Sequence, residues 1–149
     1  MDQLAWLNAV PDVKRKKDDD RPRLSRREQY ERGAEPYDEP PPPDHYDYLL
    51  SWWADAGMVS SNGMGTVPLS RLEIKQYSDD ECIAMRPWER SHLVKLSRRY
   101  CWAQNHFKQA GIPAPYISDE TIQAKQELDE SRKAMAKRMA ALTAGGKQK

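Results

Sequence analysis

Apolar residues are distributed very unevenly along this chain of 149 residues. Between Asp12 and Pro43 the only aliphatic residues are Val13, Leu24 and Ala34, and the segment ends in four consecutive prolines. A segment so poor in apolar side chains buries too little surface to offset the conformational entropy that folding costs. We therefore predict that residues 1–43 form a flexible, charged, proline-ended arm and that the folded domain lies after them.

The arm begins with a short apolar patch that runs from Leu4 to Val10 and stops at Pro11. Such a patch is too brief to form an independently stable helix in water. It needs a surface on which to dock, which is either the core domain or a partner protein. The sequence leaves both open.

The charges nearly cancel over the whole chain, with 24 Lys and Arg against 23 Asp and Glu, but they are segregated. From Lys14 to Arg32 nine basic residues face five acidic ones, whereas all charged residues from Glu35 to Asp47 are acidic. A net charge of +1 gives no global attraction to nucleic acid. No apolar run approaches the roughly 20 residues that cross a bilayer, and the start does not resemble a signal peptide. We expect a soluble, unprocessed protein.

Aromatic and aliphatic residues arrive together at residue 46. Tyr46, Leu49, Leu50 and Trp53 follow the spacing i, i+3, i+4, i+7, which predicts a first helix with one buried face. Gly57 ends this helix, and a polar, glycine-rich loop follows it. We place the start of a small helical domain at residue 44 and its end at residue 116.

Two further helices have clear start signals. Ser70 and Glu73 have the spacing of a capping box and predict the start of a second helix. Pro87 and Glu89 suit the first turn of a third helix, which should run to about Gln109 before Gly111. The third helix has apolar residues at steps of three and four, which predict its buried stripe. That stripe is Leu93, Leu96, Tyr100, Ala103, Phe107 and Ala110.

Residues 117–149 complete the predicted organisation. Strong helix formers follow the N-cap candidate Ser118, but the apolar stripe of this fourth helix is thin, so it should dock weakly or project. A frayed end follows from Gly145. The predicted fold class is all-α: a domain of three to four helices with a disordered N-terminal arm and a frayed C-terminal tail.

No motif in the sequence points to an enzyme, a metal or a cofactor. Cys82, His92, Cys101 and His106 are the right atom types for zinc, but they lack a C-x-x-C pair. His92 and Cys101 would lie about 13 Å apart along one helix, too far for a single ion. With only two cysteines, a reduced cytosolic compartment fits best.

The tryptophans are the strongest indication of function. Trp52, Trp53, Trp88 and Trp102 all fall inside the predicted domain, and so many indoles are difficult to enclose in a small core. Partly exposed Trp beside Arg98 and Arg99 is typical of protein-binding surfaces, although the adjacent indoles of the first helix could instead cover both sides of the core. The candidate protein-binding residues are Trp52, Trp53, Trp88, Arg98, Arg99 and Trp102.

Nucleic-acid binding is the alternative. A short capped helix, a connection and a longer basic helix resemble a helix-turn-helix in outline. The connection from Ser78 to Arg86 is too long for the tight turn of that motif, and basic residues on an outer helix face are usually only solvated charge.

In this order and spacing, several short motifs resemble the small tail-assembly proteins of long-tailed phages and prophages. These motifs are Leu49-Leu50-x-Trp52-Trp53, Pro68-Leu69-Ser70-x-x-Glu73-Ile74, Pro87-Trp88-Glu89, Leu96-Ser97 and Pro113-Ala114-Pro115-Tyr116. The chain is similar to the accessory part, often made by ribosomal frameshifting, of the tail assembly chaperones of lambda-like phages. The likeness covers about half the chain, whereas the arm before it matches nothing in that pattern.

The sequence departs from the pattern at two positions. Arg86 stands before Pro87 where a Ser, Thr or Asp cap is more usual, and Arg71 stands where an aromatic is frequent. The resemblance implies a non-enzymatic role in the cytoplasm of a bacterial host. It also implies that the partners are the tape-measure protein or tail-tube subunits.

Overall fold

The computed structural model describes residues 1–13, 20–41 and 43–145, with side chains up to residue 140. Six helices and one short β-hairpin make up the regular structure of this part of the chain. In chain order they are α1 Asp2–Asn8, α2 Arg26–Gly33, α3 Asp47–Asp55, β1 Ser60–Ser61, β2 Thr66–Val67, α4 Arg71–Asp80, α5 Pro87–His106 and α6 Asp119–Gly145.

The long helix α5 is the centre of the core, and α1, α3 and α4 pack around it. Its buried residues include Leu93, Tyr100 and Ala103, and Phe107 directly after the helix is buried as well, as the periodicity predicts. Leu96 is only half-buried. Ala110 is exposed, because α5 ends at His106 and the predicted stripe does not reach that far. The predicted capping box of Ser70 and Glu73 is present, and Pro87 is the first residue of α5, where the Glu89 carboxylate accepts from the backbone N–H of Arg86.

Helix α1 shows where the apolar patch of residues 4–10 docks. Ala5, Leu7 and Ala9 are fully buried, and the indole N–H of Trp6 donates to the carbonyl of Ile112 at 2.9 Å. The side chain of Asn8 also donates to the Tyr100 hydroxyl at 2.9 Å. The docking surface is therefore the protein's own core, because α5 presents an apolar face that α1 covers.

Helix α2 lies in the segment that we predicted to be part of a disordered arm. Its start has a complete capping box formed by Ser25 and Glu28. Arg26 is buried, and its guanidinium donates to the carbonyls of Trp6 at 3.2 Å, Phe107 at 2.6 Å and Gln109 at 3.0 Å. This side chain ties α1 to the end of α5, and these three acceptors offset the cost of burying its charge.

Helix α6 is attached at its start by Asp38. The carboxylate accepts from the backbone N–H and hydroxyl of Ser118 and from the hydroxyl of Thr121, at 2.6 to 2.8 Å. Farther along α6, residues 131–140 are all exposed. The prediction that this helix docks weakly or projects agrees with that exposure.

The glycine-rich loop is the tip of the β-hairpin, in which Ser60 pairs with Val67 and Ser61 with Thr66. Gly63 has φ of +79°, a left-handed conformation that glycine adopts without strain. Met64 at the tip is 94% exposed.

Two sequence predictions need correction. The described part of the chain has six helices and a hairpin rather than three to four helices, because α1 and α2 form inside residues 1–43. Those residues also supply part of the core, so the packing does not divide at residue 44. The basic run at 14–17, Pro42 of the proline run and the terminal residues 146–149 lie outside the described residues. None of the described helices is both long and apolar enough to span a membrane.

Candidate protein-binding surface

Helix α5 presents a continuous row of large polar and aromatic side chains to solvent. Spacings of three and four residues place side chains on the same side of a helix. We call this row, together with its neighbour Arg98, the α5 face. Its members are Trp88, His92, Lys95, Arg98, Arg99, Trp102 and His106, and all seven are exposed.

An aromatic pair occupies each end of the α5 face. Trp88 is 40% exposed and meets the His92 ring edge-on at a centroid distance of 5.5 Å. Trp102 is 55% exposed and stacks on His106 at 5.3 Å, with 6° between the ring planes. The two indoles are 14 residues apart, or about 21 Å along the helix axis. Large aromatic side chains held by a neighbour lose little conformational freedom when a partner covers them.

Positive charge occupies the middle of the α5 face. Arg99 lies over the Trp102 ring at 4.5 Å and also pairs with the carboxylate of Asp2. Within the described residues, Lys95 and Arg98 form no ion pair. The single acidic residue of α5, Glu89, is buried and accepts hydrogen bonds from the Tyr48 hydroxyl and the backbone N–H of Arg86. The exposed charge of α5 is therefore entirely basic.

The Asp2–Arg99 pair changes the acidity of both groups. The hydrogen bond from Arg99 lowers the pKa of Asp2, and the same bond raises the pKa of Arg99. Both ions are therefore favoured in the folded protein. Asp2 reaches this position because α1 docks across α5.

The structure divides the predicted binding residues into two groups. Trp88, Arg98, Arg99 and Trp102 come together on the α5 face. Trp53, in contrast, is a core residue: it is 1% exposed and packs edge-on against Tyr100 at 5.2 Å. Trp52 is half-buried on α3, where it contacts Tyr48 at 4.8 Å. The two adjacent indoles of α3 thus both pack against the core and do not belong to the α5 face.

Sequence reasoning missed His92, Lys95 and His106 of the α5 face, and also Asp2, which pairs with Arg99. The repeated spacing Trp-x-x-x-His, at 88–92 and again at 102–106, was visible in the sequence and places each pair on one face. No sequence signal connects Asp2 with Arg99, since the contact depends on how α1 docks.

Two grooves of the described structure have linings that do not include any residue of the α5 face. A groove of about 360 Å³ lies between α1, the proline segment and α3, with apolar lining that includes Leu4, Leu7, Pro40 and Leu50. A wider one of about 690 Å³ is lined by Trp6, Arg26, Tyr30 and Lys125 among others. No histidine or cysteine lines either one. Among the described side chains, no three His, Cys, Asp or Glu residues are grouped to hold a metal ion.

Comparison of the chain with known protein families, with curated proteins and with solved structures finds no match.

Proposed function

We propose that this protein is a non-enzymatic phage tail assembly factor that acts in the cytoplasm of the bacterial host. In this role it is a chaperone or adaptor that uses the α5 face to bind the tape-measure protein or tail-tube subunits. The observation that carries the proposal is the exposure of Trp88 and Trp102 on one basic helix face. The resemblance of the sequence to tail-assembly proteins supplies the class of partner.

The motifs of that resemblance have separate roles in this structure. Ser70 and Glu73 start α4, while Pro87 and Glu89 start α5. Trp88 lies between Pro87 and Glu89 but is not needed to fill the core, because it is 40% exposed. A large apolar side chain that stays at the surface is what a binding anchor requires.

The energetics favour the indoles as the main contributors. Interface anchors are typically Trp, Tyr and Arg, and their truncation costs about 2 kcal/mol or more when a partner covers them fully. Arg99 already has an ion pair with Asp2, so its transfer to a partner exchanges one pair for another. We therefore expect the two indoles to contribute more affinity than Arg98 and Arg99.

Nucleic-acid binding is the second candidate, and the α5 face also gives a specific reason for it. Exposed aromatic rings beside unpaired cations can stack on bases and contact phosphates. Two observations weigh against it: the whole chain carries a net charge of only +1, and Asp2 neutralises one of the three central cations.

The test is to express the tagged full chain in a lysogenic host and identify what co-purifies. Recovery of the tape-measure or tail-tube protein supports the proposal. Trp88→Ala and Trp102→Ala should then each weaken its capture by about 1 kcal/mol or more. Met64→Ala is the matched control, since it removes an exposed apolar side chain from the hairpin tip.

A nucleic-acid binder would give the opposite order. The Arg98→Ala, Arg99→Ala double variant would then lose binding, the Trp variants would retain more of it, and affinity would fall steeply with added salt because phosphate contacts release counterions. That result, with all variants folded, would contradict the proposed function.

A further inference from the structure

Asp2 holds the central cation of the α5 face through a two-point contact. The Nε of Arg99 donates to one carboxylate oxygen of Asp2 at 2.8 Å, and Nη2 donates to the other at 2.5 Å. The contact remains open to solvent, with the Arg99 side chain 52% exposed and that of Asp2 34% exposed. An incoming group can therefore reach Arg99 without unfolding any part of the chain.

Helix α1 does not depend on this contact for its docking. It is anchored by Ala5 and Leu7, which are fully buried, and by Trp6, which bonds to the Ile112 carbonyl. Asp2 is at the first position of the helix, one turn away from those anchors. Its carboxylate can leave Arg99 by a side-chain rotation while α1 stays in place.

The side chains around Arg99 indicate which kind of chemical group would replace the Asp2 carboxylate on its guanidinium. Lys95 and Arg98 lie on the same face and, among the described residues, have no acidic partner. The planar guanidinium of Arg99 already binds a carboxylate through two nitrogens, Nε and Nη2, which is the favoured geometry for such a pair. An exposed indole lies beside it at 4.5 Å, so apolar contact is available next to the ion pair.

We infer that the α5 face binds an acidic protein segment whose carboxylate takes the place of Asp2 on Arg99, while adjacent apolar side chains cover Trp88 or Trp102. Asp2 is then an internal competitor that holds the binding cation until the partner arrives. This inference rests on the proposed function, because it specifies the chemistry of the protein partner.

The experiment compares two helical peptides that differ only in charge, one built from leucine and glutamate and the other from leucine and glutamine. Each is titrated into the 149-residue chain, with Trp fluorescence as the readout. Asp2→Asn should raise the affinity for the glutamate peptide by about two- to fivefold, the range expected for removing an exposed competing ion pair. It should leave the affinity for the glutamine peptide unchanged.

The matched control is Asp79→Asn. This variant makes the same change in net charge and also removes the acid of an exposed ion pair, that between Lys75 and Asp79 on α4. It should not alter peptide affinity. Arg99→Gln should weaken binding of the glutamate peptide and remove the effect of Asp2→Asn. In the unmodified protein, the Arg99 Nε–H resonance should shift when the glutamate peptide binds, which tests the exchange even if a variant is unstable.

Three results would overturn the inference: no binding of the glutamate peptide, equal affinity of folded Asp2→Asn and unmodified protein, or an unchanged Arg99 resonance. If Trp88→Ala still weakens capture of a tail protein, the proposed function survives that failure. Binding of oligo(dT) in place of the glutamate peptide would instead count against both.

Discussion

Helices α1 and α6 lie near opposite ends of the chain and relate to the core in opposite ways. The seven residues of α1 are largely buried, whereas in α6, with 27 residues, the side chains from 131 to 140 are all exposed. Helix propensity favours α6, which is rich in Ala, Glu, Lys and Gln. A contiguous apolar patch and satisfied polar groups therefore decide whether a segment joins the core. Length and intrinsic propensity do not.

The docking of α1 also changes the composition of the candidate binding surface. Because α1 docks, it brings Asp2 to the α5 face, so a residue at the start of the chain becomes part of the candidate binding surface. Helix α6 contacts the rest of the protein through Asp38 at its start, through Lys125, which lies over the Tyr30 ring at 5.1 Å, and through an exposed ion pair of Arg132 with Glu35.

The largest effect in this comparison should come from Trp6→Ala. The substitution removes a buried indole, its hydrogen bond to Ile112 and its contact with the Arg26 guanidinium, which lies 4.9 Å from the ring centre. We expect the free energy of unfolding to fall by about 3–5 kcal/mol. Urea unfolding followed by far-UV circular dichroism measures it. A loss below about 1 kcal/mol, the size of a typical surface effect, would show that α1 is not part of the core.

Asp38→Ala should have a smaller effect, confined mainly to α6. The substitution removes the acceptor of three hydrogen bonds from Ser118 and Thr121. A single hydrogen bond to a charged group contributes at most about 1.5–3 kcal/mol to stability. We expect faster amide hydrogen exchange in the first turns of α6 and little change in α5. Asp44→Ala, which removes an exposed carboxylate, is the control. Equal exchange in the two variants would contradict the role of Asp38.

Acidification should weaken the contacts of Asp38 with α6 and the ion pair between Asp2 and Arg99. Burial alone would raise the pKa of Asp38, but hydrogen bonds from Thr121 and Ser118 outweigh it and lower that pKa, and Arg99 lowers the pKa of Asp2. As the pH falls, these two carboxylates are protonated in the unfolded chain before they are protonated in the folded protein. The free energy of unfolding therefore decreases as the pH falls from the ordinary pKa of 3.8 through the lowered pKa values. An Asp2→Asn, Asp38→Asn double variant should show a shallower loss in acid urea titrations. An unchanged slope would exclude these two carboxylates as the cause.

Met135→Ala should have the smallest effect. Met135 is on α6 and is 69% exposed, so its truncation should change the free energy of unfolding by no more than about 0.5 kcal/mol. The measurement is the same urea titration as for Trp6→Ala. A loss comparable to that of Trp6→Ala would mean that α6 packs against the core as α1 does.

Much of the central helical part could be predicted from local signals. The spacing of Tyr46 to Trp53 predicts α3, the Ser70 capping box predicts α4, and Pro87 marks the first residue of α5. The Ser25–Glu28 capping box was an equally good local signal for α2, but the charged composition around it pointed to disorder. Local signals were sufficient wherever caps and periodicity agreed.

The remaining features depend on contacts between residues far apart in the chain. From the sequence, Arg26 is expected to be a charged surface residue. In the structure it is buried, because the carbonyls of Trp6, Phe107 and Gln109 converge on its guanidinium. Trp53 and Trp88 both read as candidate binding residues, and only the fold shows that Trp53 fills the core while Trp88 is exposed. Composition cannot distinguish these cases, since each is decided by what packs against the side chain.

The α5 face is tested most directly by side-chain footprinting of the full chain, alone and with a protein that co-purifies with it. Oxidative labelling reports the exposure of Trp88 and Trp102 on the α5 face, of Met64 at the hairpin tip and of Met135 on α6 in one experiment. We expect the partner to protect both indoles and to leave the labelling of Met64 and Met135 unchanged. Protection of Met64 or Met135, with Trp88 and Trp102 labelled as in the free protein, would contradict it.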